Sequence, residues 1–283
     1  MRKKIKKVIF SILFYFLKNY QFIFIKPSFL GGLINLLYIK SINKNVRIII
    51  DPIELAINNK NINFLIFKIA CKELSGKNLN HFLNLIFYIY YRSALYTKDL
   101  EKIIFKSFSH RDKNVYKSLS NQNNIYFDYK NKVKNQDIKN LISKKFIIFH
   151  CRDGAYKKNT SKMNLNYHNY RNEKLITYEN ALSKLDKKHE LVRFGSVSEQ
   201  KCENKKIFDY TNSKIRNEKN DLLLMKKCDL YVGTGSGPDV LAMNFQRPIV
   251  YVNWLRIPDL FTFQNNVVVI FKKIFDEKKK QVY

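Results

Sequence analysis

The segment Leu230-Tyr-Val-Gly-Thr-Gly-Ser-Gly-Pro-Asp-Val-Leu-Ala242 constrains the fold more than any other part of the chain. An apolar run leads into three glycines, two hydroxyl side chains and a proline where a helix begins. Proline suits that place because the N–H it lacks would be unpaired in a first helical turn anyway. The pattern predicts a strand at Asp229–Val232, a tight turn, and a helix from Pro238 to Phe245. The spacing over Gly233, Gly235 and Gly237 is G-x-G-x-G, and no Gly-Lys-Ser/Thr follows. It is therefore neither a dinucleotide fingerprint nor a P-loop. Backbone N–H groups at such a turn, with the hydroxyls of Thr234 and Ser236, suit a diphosphate. A turn in which Ser236 or Asp239 only caps the helix is the alternative.

Strand and helix patterns alternate around this unit. Phe146–Phe149, Glu190–Phe194, Ile207–Phe208 and Pro248–Val252 read as strands. Ile176–Leu185 and Asp221–Lys227 read as helices. Such alternation is the signature of a doubly wound parallel sheet. The first half opens in a similar way. A strand at 21–26 leads into a glycine turn at 26–32, an apolar helix at 33–40 and a second strand at Val46–Ile50. Helical periodicity then covers 63–107, and a polar stretch at about 108–140 holds the domain boundary. The expectation is an α/β chain of two Rossmann-like lobes, 1–140 and 141–283, joined near 130–145 with a cleft between them.

Hydrophobic residues make up 46% of the 283, enough to build cores, which argues against global disorder. The net charge of +29 raises nucleic acid or an anionic membrane as partners. The excess is mostly lysine spread along the chain, which also fits a solvated surface. Arginine is placed less evenly: six of ten lie between Arg152 and Arg256. Its planar fork matches phosphate and carboxylate better than lysine does, so anion chemistry is expected in that half and nucleic acid is disfavoured. Cys71, Cys151, Cys202 and Cys228 are too scattered for a disulfide framework or a zinc site, in keeping with a reducing cytoplasm. The N-terminus is basic, then aromatic, and predicts a helix over roughly 3–19. Two readings stay open: residues 1–19 lie in the interface of an anionic membrane, making the protein peripheral on the inner membrane, or the helix packs on the protein's own sheet.

Three more polar clusters follow predicted strands, so folding would gather them at the C-terminal rim of one sheet, where α/β folds bind ligands. His150, Arg152 and Asp153 offer a base, a cation and a carboxylate. Asn166–Asn172 holds His168, Tyr170, Arg171 and Asn172, a mix of rings and hydrogen-bonding groups suited to sugars. Arg193 and Arg216 follow later strands. An Arg–Asp salt bridge with a purely structural role is the alternative for the first cluster. No Asp-x-Asp pair, H-E-x-x-H or G-x-S-x-G motif occurs, which argues against metal-dependent transfer and against a serine hydrolase.

In order, HCRDGAYK, NYHNYRN, a Tyr-x-x-Ala helix (Tyr178, Ala181), VRFG, FDYTNSKIRN, DLLLMKKCDLYVGTGSG and RPIVYVN cover roughly 146–253. This set resembles a family of bacterial glycosyltransferases from surface-polysaccharide clusters. A weaker resemblance covers Ile25–Leu33, where the family turn usually reads Ile-Gly-His-Leu and Gly32 stands in place of the His. The resemblance implies a GT-B-like architecture, with the donor on the C-terminal domain and the acceptor entering between domains. Family members usually continue past Phe271–Phe275, so it also implies a truncated C-terminal lobe.

The resulting expectation is a metal-independent, cofactor-free glycosyltransferase. It would move a sugar from a nucleotide-sugar donor to a polysaccharide or lipid-linked acceptor. Gly233, Thr234, Gly235, Ser236 and Gly237 with Arg152, Arg193 and Arg216 would hold the donor. Asp153 or His168 would be the general base, and His150, Tyr170, Arg171 and Asn172 would bind substrate. Two rivals remain: another nucleotide-sugar enzyme such as an epimerase, and a non-enzymatic basic protein that binds nucleic acid or membrane.

Overall fold

In the computed structural model the described residues are 2–25, 33, 46–53, 64–75, 80–103, 128–130, 132–156, 166–182, 184, 188–255, 257, 260 and 265–283. The predicted glycine turn at 26–32, and the predicted helix at 33–40 apart from residue 33, lie outside them. The chain divides into two compact units, Met1–Phe127 and Asp128–Tyr283.

The first unit opens with helix α1 (Arg2–Leu17), which ends at the turn before strand β1 (Gln21–Ile25). β1 pairs in parallel with β2 (Val46–Ile50), from Gln21 opposite Val46 to Ile25 opposite Ile50. Helices α2 (Phe64–Ser75), α3 (His81–Thr97) and α4 (Leu100–Ile103) follow. Asn80 caps α3 by accepting the Leu83 N–H at 3.0 Å. Phe10 of α1, Phe22, Ile49, Tyr90, Ala94 and Ile103 form one core. The Phe10 and Tyr90 rings stack with centroids 5.5 Å apart, which joins α1 to α3. The buried Asn84 side chain takes both polar groups of Ile50, accepting its N–H and donating to its carbonyl, each at 2.8 Å. A buried backbone pair without such partners would be costly, so Asn84 closes the end of β2.

The second unit is a six-stranded parallel sheet. Helix α5 (Gln136–Ile142) precedes β3 (Phe146–Phe149), and a 3₁₀ turn (Asn166–Arg171) and α6 (Leu175–Leu182) lead to β4 (Glu190–Arg193). Then come β5 (Ile207–Asp209), a 3₁₀ turn (Tyr210–Asn212), α7 (Glu218–Lys227), β6 (Leu230–Gly233), α8 (Asp239–Asn244), β7 (Ile249–Trp254) and β8 (Val267–Phe271). A short antiparallel pair, β9 (Phe275–Asp276) and β10 (Gln281–Val282), ends the chain. The spatial order is β5-β4-β3-β6-β7-β8, with every pairing parallel. Within this unit that is the 3-2-1-4-5-6 order of doubly wound sheets, whose switch point falls between β3 and β6. Ile147 and Phe149 pack with Leu175, Tyr178 and Leu182 of α6, while Phe146 and Ile148 on the opposite face are also fully buried. Burial on both faces explains why these strands read as continuous apolar runs. The sequence reading stops at five strands; β8 is a sixth, at the sheet edge and half exposed.

Candidate functional site

The C-terminal ends of β3 and β6 lie side by side, with Phe149 opposite Val232. The chain after β3 carries His150, Arg152 and Asp153, and the chain after β6 carries the glycine loop. The switch point of the sheet therefore holds two of the polar clusters predicted from the sequence.

The loop is held from within and from the 3₁₀ turn. Asp239 is fully buried beneath it and accepts the Ser236 N–H at 2.7 Å and the Tyr231 hydroxyl at 2.7 Å. Burial pushes the Asp239 carboxyl up to about 6, against the pull of the Tyr231 and Ser236 hydrogen bonds and of the Arg171 charge. Arg171 donates to the Gly235 carbonyl, and the buried Thr234 hydroxyl donates to the Arg171 carbonyl at 3.2 Å. Gly235 has φ +74°, and a Cβ there would lie 2.9 Å from the Trp254 ring. Gly233 leaves room for the Tyr231 ring and Asp239, which a Cβ would meet at 2.5 and 2.7 Å. These contacts revise the expected donor cradle. The Ser236 N–H faces its own helix-capping carboxylate, Thr234 is buried, and α8 has only six residues to contribute dipole. The N–H groups of Gly235 and Gly237 make no hydrogen bond to any described residue.

Two arginines meet beside the loop. Burial, and then the neighbouring Arg171 charge, lower Arg152 to about 10, so it stays cationic at neutral pH. The Arg152 guanidinium makes no hydrogen bond or ion pair to any described residue. The Arg171 guanidinium lies 5.6 Å from the Tyr170 ring centroid. Lys272, just past β8, donates to the Tyr170 carbonyl at 3.0 Å and pairs with Glu173 at 2.6 Å, which ties the 3₁₀ turn to the sheet edge. Asn172 donates to Asn169 at 3.4 Å, and its buried Oδ1 accepts no hydrogen bond from a described residue. Of His168 only the backbone, within the 3₁₀ turn, is described.

Other predicted site residues are engaged in building the scaffold. Arg193 is 1% exposed and lies inside the protein, donating to the Gln200 carbonyl at 2.7 Å, to Asp209 at 3.2 Å and to Ser198. Three of its N–H donors are engaged there, so in this structure it is part of the scaffold and not exposed at the rim. Arg216 pairs with the buried Asp221 at 3.3 Å, and Tyr210 donates to the same carboxylate at 2.6 Å. That network anchors the start of α7. Asp153 accepts from Ala155 N–H at 3.0 Å, Glu199 N–H at 2.8 Å, Gln200 N–H and the Ser198 hydroxyl. Burial alone would raise its carboxyl, but these bonds outweigh it and hold the carboxyl below its usual value. A carboxylate so fully hydrogen-bonded is a poor proton acceptor, so the geometry favours loop organiser over general base. His150 Nδ1 lies 2.8 Å from the Phe194 carbonyl, which fixes the tautomer with Nδ1–H donating and Nε2 free to accept. Burial lowers it to about 4, so it is neutral at pH 7.

The sequence reading named Asp239 only as a possible helix cap and not as the buried keystone of the loop, and it missed Glu173, Lys272, Ser198 and Gln200. An acid three residues after Ser236 at a helix start was the available signal for Asp239. The others are joined to the site only by the fold. Among the described residues no three His, Cys, Asp or Glu side chains cluster as metal ligands would.

No protein-family model matches the chain, and no curated protein matches it. Among solved structures, the Escherichia coli ADP-heptose LPS heptosyltransferase II is similar over 90% of this chain and 91% of that one. The identity is 13% and the TM-score 0.40, too low to carry fold detail or chemistry from one chain to the other.

Proposed function

We propose that this chain is a glycosyltransferase that moves a sugar from a nucleotide-sugar donor to a polysaccharide or lipid-linked acceptor. In this reading the donor diphosphate lies at the switch point between β3 and β6. The observation that carries it is the Arg152 guanidinium, placed just past β3 next to a second guanidinium, within reach of the Asp239 charge but ion-paired to no described carboxylate. Two like charges side by side in a partly buried place repel, and a diphosphate relieves that repulsion while taking up arginine hydrogen bonds. The N–H groups of Gly235 and Gly237 add neutral donors. The order of short motifs over 146–253 supports glycosyl transfer over other diphosphate chemistry.

In this reading the residues take the following roles. Arg152 and Arg171 stabilise the leaving diphosphate without an ion, a fixed positive potential being worth most where charge develops. Asp239 and Thr234 hold the loop that positions Arg171. His150 Nε2 and Asn172 Oδ1 are acceptors for sugar or acceptor hydroxyls. His168 is the remaining candidate for general base, and the first unit takes the acceptor.

Calorimetry of the full chain against nucleoside diphosphates and their sugars tests this. Arg152→Ala removes one charged hydrogen-bonding partner, which costs about 1.5–3 kcal/mol, or roughly one to two decades in affinity. Arg152→Lys keeps the charge but loses the fork, and falls between. Absence of binding by any nucleoside diphosphate, or unchanged affinity in a folded Arg152→Ala variant, overturns the reading.

A further inference from the structure

We propose that helices α1 and α3 of the first unit together form a docking surface for an anionic lipid bilayer. This goes beyond sugar transfer and does not depend on it.

At 100° per residue, α1 divides into three arcs. Phe10, Leu13, Phe14 and Leu17 face the core. Ile5, Val8, Ile12, Tyr15 and Phe16 fall within an arc of about 100° and are all exposed, Tyr15 and Phe16 at 71%. Lys4, Lys7, Ser11 and Lys18 occupy the arc beside them and are also exposed. One face of the helix therefore packs on the protein's own core, and another is apolar and exposed. On the neighbouring α3, Phe82, Leu85, Ile89 and Tyr96 repeat at helical spacing and are exposed, Phe82 at 72%. Lys6 of α1 sits 3.8 Å from the centroid of the Tyr96 ring, which joins the two helices at that end.

Charge decides what covers this face. The first fifty residues contain ten Lys or Arg and no Asp or Glu, and α3 contains Arg92 and no acid. Apolar and aromatic side chains beside an excess of lysines, with Asp99 just past α3 the carboxylate that acts on Lys7, match the boundary between anionic headgroups and acyl chains. A second copy of this chain would set lysines against lysines, which disfavours it as the occupant. At sixteen residues α1 is about 24 Å long, short of the about 30 Å hydrocarbon core. Nor is any helix among the described residues long and apolar enough to cross a membrane. The geometry thus fits a helix lying in the interface.

The test is flotation of the full chain with phosphatidylglycerol–phosphatidylcholine vesicles and with pure phosphatidylcholine vesicles, at low and high salt. The protein should float with the anionic vesicles, stay behind with the neutral ones, and be released by salt. Each lysine on the headgroups is worth about fivefold in partitioning, so Lys4→Glu with Lys7→Glu should lower binding at least about 25-fold. Ile12→Glu with Phe16→Glu, at exposed positions, should abolish flotation while the far-ultraviolet circular dichroism stays unchanged. Failure of the wild-type chain to float with anionic vesicles overturns the proposal. So does equal binding to neutral vesicles, or a folded Ile12→Glu, Phe16→Glu variant that still floats. A concentration-dependent dimer in sedimentation velocity that this variant abolishes would assign the face to a second copy instead, and would equally overturn it.

Discussion

Replacing Arg193 separates an architectural arginine from a ligand-binding one. The sequence places it at the rim among the donor ligands, and the structure places it inside, paired with Asp209 and bonded to Gln200 and Ser198. Arg193→Ala leaves the Gln200 carbonyl without its 2.7 Å donor and Asp209 without its cation, although Asn212 and the Cys202 N–H still reach that carboxylate. Breaking a buried pair by removing one partner costs about 3–5 kcal/mol. That is a large share of the roughly 5–15 kcal/mol that holds a domain folded. With a urea dependence of about 2 kcal/mol per molar, the unfolding midpoint should fall by about 2 M. Trp254 is the only tryptophan, is 5% exposed and lies in the same unit, so its fluorescence reports this transition directly. Arg193→Lys retains the charge and should lose roughly half as much. The reasoning is refuted if Arg193→Ala costs under about 1 kcal/mol while nucleoside-diphosphate affinity drops tenfold.

Further expectations concern the loop, the strand end and pH. The Asp239 carboxyl is raised by burial, so its contribution to stability is present below pH 4 and is lost as pH rises to about 6. At roughly 1.4 kcal/mol per pH unit, thermal melts should show Asp239→Asn gaining about 3 kcal/mol on wild type across that window. His150 runs the other way: its depressed value means stability present above about 6.5 and lost as pH falls to about 4, and its ring should titrate near 4 by NMR. Gly235→Val forces a branched side chain to positive φ, costing about 1–2 kcal/mol, and presses on Trp254 for about 1–3 more. Its melting point and its Trp254 emission should shift together. Asn84→Leu strips both partners from Ile50 and should destabilise the first unit by about 2–5 kcal/mol, read by circular dichroism.

Local chemistry made much of this legible in the sequence. Apolar runs marked β3, β4, β6 and β7 to within a residue or two, because strands buried on both faces must be continuously apolar. The loop at Gly233–Gly237 followed from its glycines and Pro238, and the polar clusters after strands followed from the rule that loops at strand ends face the rim. The N-terminal helix carried its lysines and aromatics openly in its period. What periodicity does not encode is which distant side chains meet. Arg171 reaches Gly235 across 64 positions and Lys272 reaches Tyr170 across 102, and only the strand order brings them together. Arg152 and Arg193 look alike in sequence, each at the end of an apolar strand. Arg193, the last residue of β4, points inward onto Asp209, whereas the guanidinium of Arg152, three residues past β3, feels the Arg171 and Asp239 charges and is ion-paired to no described residue. Their difference arises because a buried guanidinium must find its counter-charge within the fold, and the neighbouring strand supplies one to Arg193.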